Sequence, residues 1–161
     1  MTEPAPLMKI DKIFNVRVYG ILIEDEAVLV SDEIHFDRMI TKFPGGGLEF
    51  GEGTTDCLIR EFKEELDIDI AIISHFYTVD FFQPNAFNPK QQVISIYYLV
   101  KTLGEVKIEV TTTPFQFKEN LNGSQVFRWL QKQELNSDAF TFPIDKRVAS
   151  LLSEEFYRIK D

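Results

Sequence analysis

The sequence predicts an α/β fold in which a mixed β-sheet lies between helices, in one domain spanning all 161 residues. Three features lead to this reading. Stretches rich in β-branched and aromatic residues, with partial period-two alternation, recur through the first two thirds of the chain. Two segments carry apolar residues at helical spacing, one amid these strands and one at the C-terminal end. A stretch dense in glycine and proline separates an early strand pair from the first helix.

The elements follow in order. Residues 1–8 are expected to be a loose lead-in. "IFNVRVYGILIED" (Ile13 to Asp25) reads as a strand, "EDE" as a turn, and Ala27 to Ser31 as the returning strand. "DEIHFDRM" is polar and irregular, and "KFPGGGLEFGEG" is expected to be loop, with Pro44 holding Phe43 extended. Thr54 to Asp67 reads as a helix with Thr54 or Thr55 as N-cap and Asp56 at the positive end of the dipole. Leu58, Ile59, Phe62 and Leu66 form its apolar stripe. "IDIAIISHFYTVDFF" and Gln91 to Thr102 read as strands around a loop with two prolines. "GEVKIEV" predicts a short strand and "QVFRWLQKQEL" a strand entering a helical turn. The last helix starts near Pro143 and buries Val148, Leu151, Leu152 and Phe156.

Composition limits the functions available. Hydrophobic residues make up 44% of the chain, which is globular rather than disordered composition. A net charge of −9 disfavours non-specific binding of DNA or of an anionic membrane, since both are polyanions. A nucleotide remains compatible, because a divalent cation can mediate between acid and phosphate. Cys57 stands alone and so forms no internal disulfide, which suits a reducing compartment. The N-terminal residues have no apolar core like that of a secretory leader, and no apolar run approaches the ~20 residues a membrane helix needs. A cytoplasmic protein is expected.

The chemistry concentrates in "FPGGGLEFGEGTTDCLIREFKEELDIDI". On a helix with ~100° per residue, Glu61, Glu64 and Glu65 share one face, beside the apolar stripe. Like charges at this spacing repel, and the helix dipole disfavours them in its C-terminal half. Arg60 and Lys63 are expected to point to other sides, so that neither easily neutralises the whole cluster. A hard cation such as Mg²⁺ resolves the repulsion, because it takes oxygen ligands and keeps positions for water and phosphate. The Gly45-Gly46-Gly47 segment can bring a backbone carbonyl close to such an ion, and Glu52 adds a further acid. Acidic helix faces alone are usually solvated, and glycine-rich loops alone are usually turns. The two at fixed spacing make a stronger case.

The pattern resembles the Nudix signature, G-x5-E-x7-R-E-U-x-E-E-x-G-U, with U a bulky apolar residue. Here it runs from Gly46 through Glu52 and Arg60-Glu61-Phe62-Lys63-Glu64-Glu65-Leu66 to Ile68, with Asp67 where the family has Gly. Asp is among the few residues that tolerate the left-handed conformation favoured after a helix, so the departure falls on stability rather than on the acids.

The resemblance implies a Nudix-type α/β/α sandwich and a divalent-metal-dependent pyrophosphohydrolase, using Mg²⁺ or Mn²⁺. Such an enzyme cleaves the diphosphate of a nucleoside diphosphate linked to another moiety. It implies Gly45, Glu61, Glu64 and Glu65 as metal ligands, and Glu52, Arg60, Glu61, Glu64 and Glu65 as the catalytic set, with Arg60 orienting a carboxylate. Candidates for the general base are Glu65, Glu105, Glu109 and Glu119. Arg38 and Lys42 are candidates for phosphate, and Phe82 and Phe87 for stacking on a base. His35 and His75 are isolated, and Cys57 has no partner that would make it a nucleophile. The expected partner is a small nucleotide-diphosphate substrate, and family resemblance makes a homodimer plausible. The alternative is a Nudix-fold module that senses a nucleotide without cleaving it; the intact acid set argues against that reading.

Overall fold

The computed structural model describes residues 12–158. The described chain runs β1 (Ile13–Glu24), β2 (Ala27–His35), β3 (Arg38–Lys42), β4 (Gly45–Gly47), α1 (Thr54–Leu66), β5 (Ile70–Thr78), β6 (Gln91–Thr102), β7 (Gln125–Gln131) and α2 (Pro143–Arg158). The expected lead-in lies outside the described residues.

β1 organises the sheet. Along one edge it pairs in parallel with β6, from Ile13 opposite Gln91 to Leu22 opposite Val100. Along the other edge it pairs first with the glycines of β4, then, at Ile23 and Glu24, with β2. β2 carries the chain into the second half of the sheet, where it takes β3 and β7 as antiparallel neighbours. β5 closes the far side on β6, with two register shifts.

Alternation along β1 then builds two cores. Val18 and Leu22 point to the α1 side, where they meet Leu58, Phe62, Ile70 and Val100. Tyr19 and Ile21 point to the α2 side, where they meet Val30, Tyr97, Val148 and Leu152. Each fully buried side chain of this kind contributes about 1.5–3 kcal/mol. A period-two strand with both faces covered is what makes the chain a helix–sheet–helix sandwich.

The structure corrects several sequence expectations. Residues 32–42, expected to be irregular, extend β2 and form β3. The turn between them uses Phe36 and Asp37 at φ 46° and 59°, a pair that carries no glycine to announce it. The glycines expected as loop are strand β4. "GEVKIEV" forms no strand; its Val106 and Ile108 pack beside the α1 core instead. On α1, Gly53 rather than Thr54 or Thr55 is the N-cap, and its N–H donates to the Asp56 carboxylate at 3.3 Å. Ile59 faces outward, and Cys57 takes its place in the core. On α2, Val148 and Leu152 are buried as expected, with Leu151 and Phe156 half-buried.

An unforeseen ion pair ties the second half of the sheet together. Buried Asp32 accepts from Arg128 Nε at 2.6 Å, from the Thr41 hydroxyl at 2.6 Å and from the Phe115 N–H at 3.2 Å. Its charge is thus paired and its oxygens are satisfied, which is the condition for burying a carboxylate.

Asp67 ends α1 at φ 53°, ψ 36°, in the left-handed conformation, with its N–H donating to the Lys63 carbonyl. Its carboxylate meets Lys63 at 3.1 Å in an exposed pair, which contributes little. Asp67→Gly removes the Cβ penalty and is expected to stabilise the protein by about 1 kcal/mol. Thermal melts of the two proteins, read as a rise of roughly 2–4 °C, check this.

Candidate active site

β4 and α1 build the centre of the site together. Gly45 has φ 146°, and a Cβ there would stand 2.1 Å from the Val18 carbonyl, so only glycine lets β4 lie against β1. Gly46 faces α1. A Cβ on Gly46 would come within 2.3 Å of the Glu61 carboxylate, so the missing side chain is the space that Glu61 occupies.

Arg60 links these pieces. Its guanidinium grips Glu52 through Nε at 3.0 Å and Nη2 at 2.7 Å, a bidentate pair. Nη1 donates to Glu61 at 3.0 Å and to Glu64 at 3.2 Å. Nη2 also donates to the Gly47 carbonyl at 3.1 Å. Arg60 was expected to point to another side, but its long, flexible side chain bends back to Glu61 and Glu64; Glu65 is not among its partners, so, as expected, it does not neutralise the whole cluster. Hydrogen bonds from Arg60 and from the Glu49 N–H hold the Glu52 carboxyl down at about 2.

Glu65 is held differently. It accepts from Gln125 Nε2 at 3.3 Å, on β7. Burial pushes its carboxyl up to about 7; Lys42 opposes this, and Glu33 and Glu61 add to it. Lys42, also buried, sits 3.0 Å from Glu33 and donates to the Gly45 carbonyl at 3.3 Å. Burial works against its charge, but Tyr19 and Glu33 outweigh burial and hold the ammonium above its ordinary value.

The donor chemistry fits a hard divalent cation. Three carboxylates on neighbouring helical positions stand beside a carbonyl on a strand that glycine alone permits. As placed, no three acidic, histidine or cysteine side chains among the described residues converge into a cation cage. Arg60 draws Glu61 and Glu64 to itself, and Gln125 holds Glu65.

A cavity of about 490 Å³ opens beside this centre, within the usual size range of small-molecule sites. Arg17, Glu33, Lys42, Tyr97 and Asp145 form its charged and polar side; His35, Phe36, Phe87 and Phe142 form an aromatic side. Lys42 and Phe87, two of the candidates for substrate contact, both line this cavity. Arg38 stands with its guanidinium 5.3 Å from the Phe87 ring. Phe82 does not line the cavity and is 70% exposed. Glu33, Phe36 and Asp145 were not singled out by sequence reasoning, and His35, expected to be isolated, stands against Phe36 and Phe87. The alternation of β2, had it been followed past Ser31, puts Glu33 and His35 on one face. Nothing local marks Asp145.

A second cavity, of about 650 Å³, is lined by Glu65, Glu109 and Glu119 among others, while Glu105 is not part of its wall. Cys57 is buried, and burial pushes its thiol up to about 12, away from the thiolate form.

The sandwich thus sets an acid-bearing helix against a glycine strand, beside a cavity of small-molecule size. A family model described as NUDIX domain matches residues 14–151. A protein of a Nitratiruptor species named "RNA pyrophosphohydrolase" is 30% identical over 124 residues, which are 72% of this chain and 76% of that one. The Escherichia coli ORF135 protein superposes with TM-score 0.64 at 17% identity, covering 91% of each chain. A MutT protein from Methanosarcina mazei Go1 superposes with TM-score 0.65 at 16% identity, covering 89% of this chain and 96% of that one. These two likenesses show the fold. The chain belongs to the Nudix family and is a hydrolase acting on acid anhydrides of phosphorus. Among the described residues, no helix is long and apolar enough to cross a membrane.

The glycine strand and the buried acid can each be tested. In Gly46→Ala the added Cβ displaces the Glu61 carboxylate, which is the end of a flexible side chain, so the fold gives little. The melting temperature is expected to stay within a few degrees while kcat/KM falls about 100-fold, the scale of a 1 Å misplacement. The second test concerns Asp145, buried and accepting from the Tyr97 hydroxyl at 2.8 Å, whose carboxyl burial raises from 3.8 to about 7. Between those values the unfolded chain has released a proton that the folded chain keeps. This group therefore destabilises the fold increasingly as pH rises through that window, and by a constant amount above it. Asp145→Asn keeps an oxygen for Tyr97. It is expected to melt several degrees above the parent protein near pH 8 and to lose that advantage near pH 4.

Proposed function

We propose that the protein is a divalent-metal-dependent pyrophosphohydrolase. It cleaves the diphosphate of a nucleoside diphosphate linked to another moiety, by attack of water on phosphorus. The observation that carries this reading is the junction of the two halves of the site. Lys42 lines the cavity and also holds the Gly45 carbonyl beside the α1 glutamates. A diphosphate bridging cavity and helix would meet that ammonium, with Arg17 nearby in the same wall.

Glu61, Glu64, Glu65 and the Gly45 carbonyl are the groups that would hold Mg²⁺ or Mn²⁺. The bound ion supplies charge against the phosphate oxygens and makes water more acidic. Arg60 positions: through Glu52 and the Gly47 carbonyl it fixes the approach of β4 to α1, and through Glu61 and Glu64 it sets where the acids stand. The proton from water goes to a carboxylate drawn from Glu65, Glu109 and Glu119, which share one cleft.

The test is a panel of (d)NTPs, dinucleoside polyphosphates, nucleotide sugars and ADP-ribose with Mg²⁺ or Mn²⁺. The name of the Nitratiruptor relative adds a short 5′-triphosphorylated RNA. Product is expected from at least one class and should vanish with a chelator. Glu64→Gln and Glu65→Gln should each lower kcat at least about 100-fold with circular dichroism unchanged. Folded protein that turns over no member of the panel would sink the proposal; tight binding without turnover would establish the sensing module in its place.

A further inference from the structure

Glu33 is an acid on the same cavity wall as Arg17 and Lys42. β2 presents it there with its side chain 18% exposed. One of its oxygens takes three donors. Oε1 accepts from the Ser31 hydroxyl at 2.8 Å and from Gln125 Nε2 at 2.9 Å, and the Lys42 ammonium stands 3.0 Å away. Among the described residues no donor meets Oε2. No buried side-chain oxygen or nitrogen among them lacks a partner, so Oε2 is open rather than buried. A carboxylate clamped through one oxygen presents the other as a well-placed acceptor.

That acceptor stands where a diphosphate would end. A phosphate on the Lys42 ammonium has Glu33 as its immediate neighbour, because Glu33 touches the same ammonium. The group attached to that phosphate therefore lies beside Oε2. A hydroxyl there donates to the carboxylate in a charge-assisted hydrogen bond. A further phosphate there sets anion against anion, in a partly buried place where salt screens little. The walls hold no spare cation to offset it. The lining of the first cavity has two cations, Arg17 and Lys42, against two carboxyl groups, Glu33 and Asp145. Gln125 bonds Glu33 and Glu65 alike, and on its Glu65 side the second cavity sets Glu65, Glu109 and Glu119 against Lys118.

We propose that Glu33 is a specificity-determining residue, which selects diphosphates esterified to a hydroxyl-bearing group such as a sugar over chains of three or more phosphates. This rests on the reading of the protein as a pyrophosphohydrolase of nucleoside diphosphate derivatives, and it narrows that reading. Nucleotide sugars and ADP-ribose are then substrates, whereas nucleoside triphosphates and 5′-triphosphorylated RNA are poor ones. Attraction of the right ligand and repulsion of the wrong one act at a single oxygen, which is the economical way to separate two ligands of otherwise similar shape.

Two matched sets of ligands isolate this position. ADP, ADP-ribose and ATP share a nucleoside and two phosphates and differ only in what the second phosphate carries; UDP, UDP-glucose and UTP make the second set. Calorimetric titration of the full chain, with EDTA present to prevent turnover, reads their binding. In at least one set the sugar ester should bind about tenfold or more tightly than the triphosphate, with the diphosphate between them. Glu33→Gln keeps an oxygen for Ser31 and Gln125 and removes the charge. It should cut that ratio about tenfold, by weakening the sugar ester and strengthening the triphosphate. A variant that only loosened the fold would weaken all three ligands together. Circular dichroism checks that the variant folds, and the comparison on the unmodified protein stands without it. Triphosphates that bind as tightly as their sugar esters in both sets, a ratio unchanged in folded Glu33→Gln, or no binding in either set would each overturn the proposal. Sugar-selective binding that Glu33→Gln erases, in a protein inactive on every substrate, would sink the pyrophosphohydrolase reading alone. Turnover of triphosphates as fast as of sugar esters would keep that reading and sink the role of Glu33.

Discussion

The Arg60 guanidinium holds the site together. It bonds Glu52 in the stretch before α1, Glu61 and Glu64 on α1, and the Gly47 carbonyl on β4. Each of these groups is anionic or carries a partial negative charge, and none can neutralise another. One planar cation with five donors satisfies them together, a task that the point charge of a lysine would not match. Helix, loop and strand are therefore held in mutual register by one residue, and the acid-bearing face of α1 is set against β4 at a fixed distance.

That register has a steric counterpart. β4 approaches β1 closely because Gly45 has no Cβ, and Glu61 lies against β4 because Gly46 has none. The two glycines use different freedoms: Gly45 needs both its positive φ and its small size, and Gly46 only its size. The sheet carries this arrangement to the rest of the molecule. β1 anchors β4 in its middle, runs parallel to β6 on its other edge and hands over to β2 at its end. The same strand therefore supports the acid centre, both cores and, through Arg17 and Tyr19, one wall of the cavity.

Electrostatics divides the site in two. Beside Arg60, the Glu52 carboxylate is stabilised as an anion. Around Glu65 and Asp145, burial outweighs the neighbouring cations, and both carboxyls are pushed up to about 7. Lys42 stands between these regions, bonded to Glu33 and to the Gly45 carbonyl. A polyanionic ligand entering the cavity would therefore meet buried positive charge already held in place, with little reorganisation left to do.

Elements with strong periodicity, and side chains set on one helix face by local spacing, were legible in the sequence alone. Ile13 to Glu24, Gln91 to Thr102 and both helices could be read because one or two covered faces impose a clear alternation or helical stripe. The acid set on α1 could be read because helix geometry maps spacing directly onto a face, and the Asp67 departure was placed at the helix end for the same reason. The rest came from the three-dimensional arrangement. Strand β4 exists only because β1 offers it hydrogen-bond partners, so three glycines read alone as loop. β3 was hidden because Phe36 and Asp37 make their turn without glycine. Arg60 reached Glu61 and Glu64 although it was expected to point to another side, because position on a helix fixes where a side chain starts, not where a long one ends. The pairing of Asp32 with Arg128, the burial of Asp145 and the meeting of His35, Phe36 and Phe87 join residues far apart in the chain, and contacts of that kind leave no periodic mark in a single sequence.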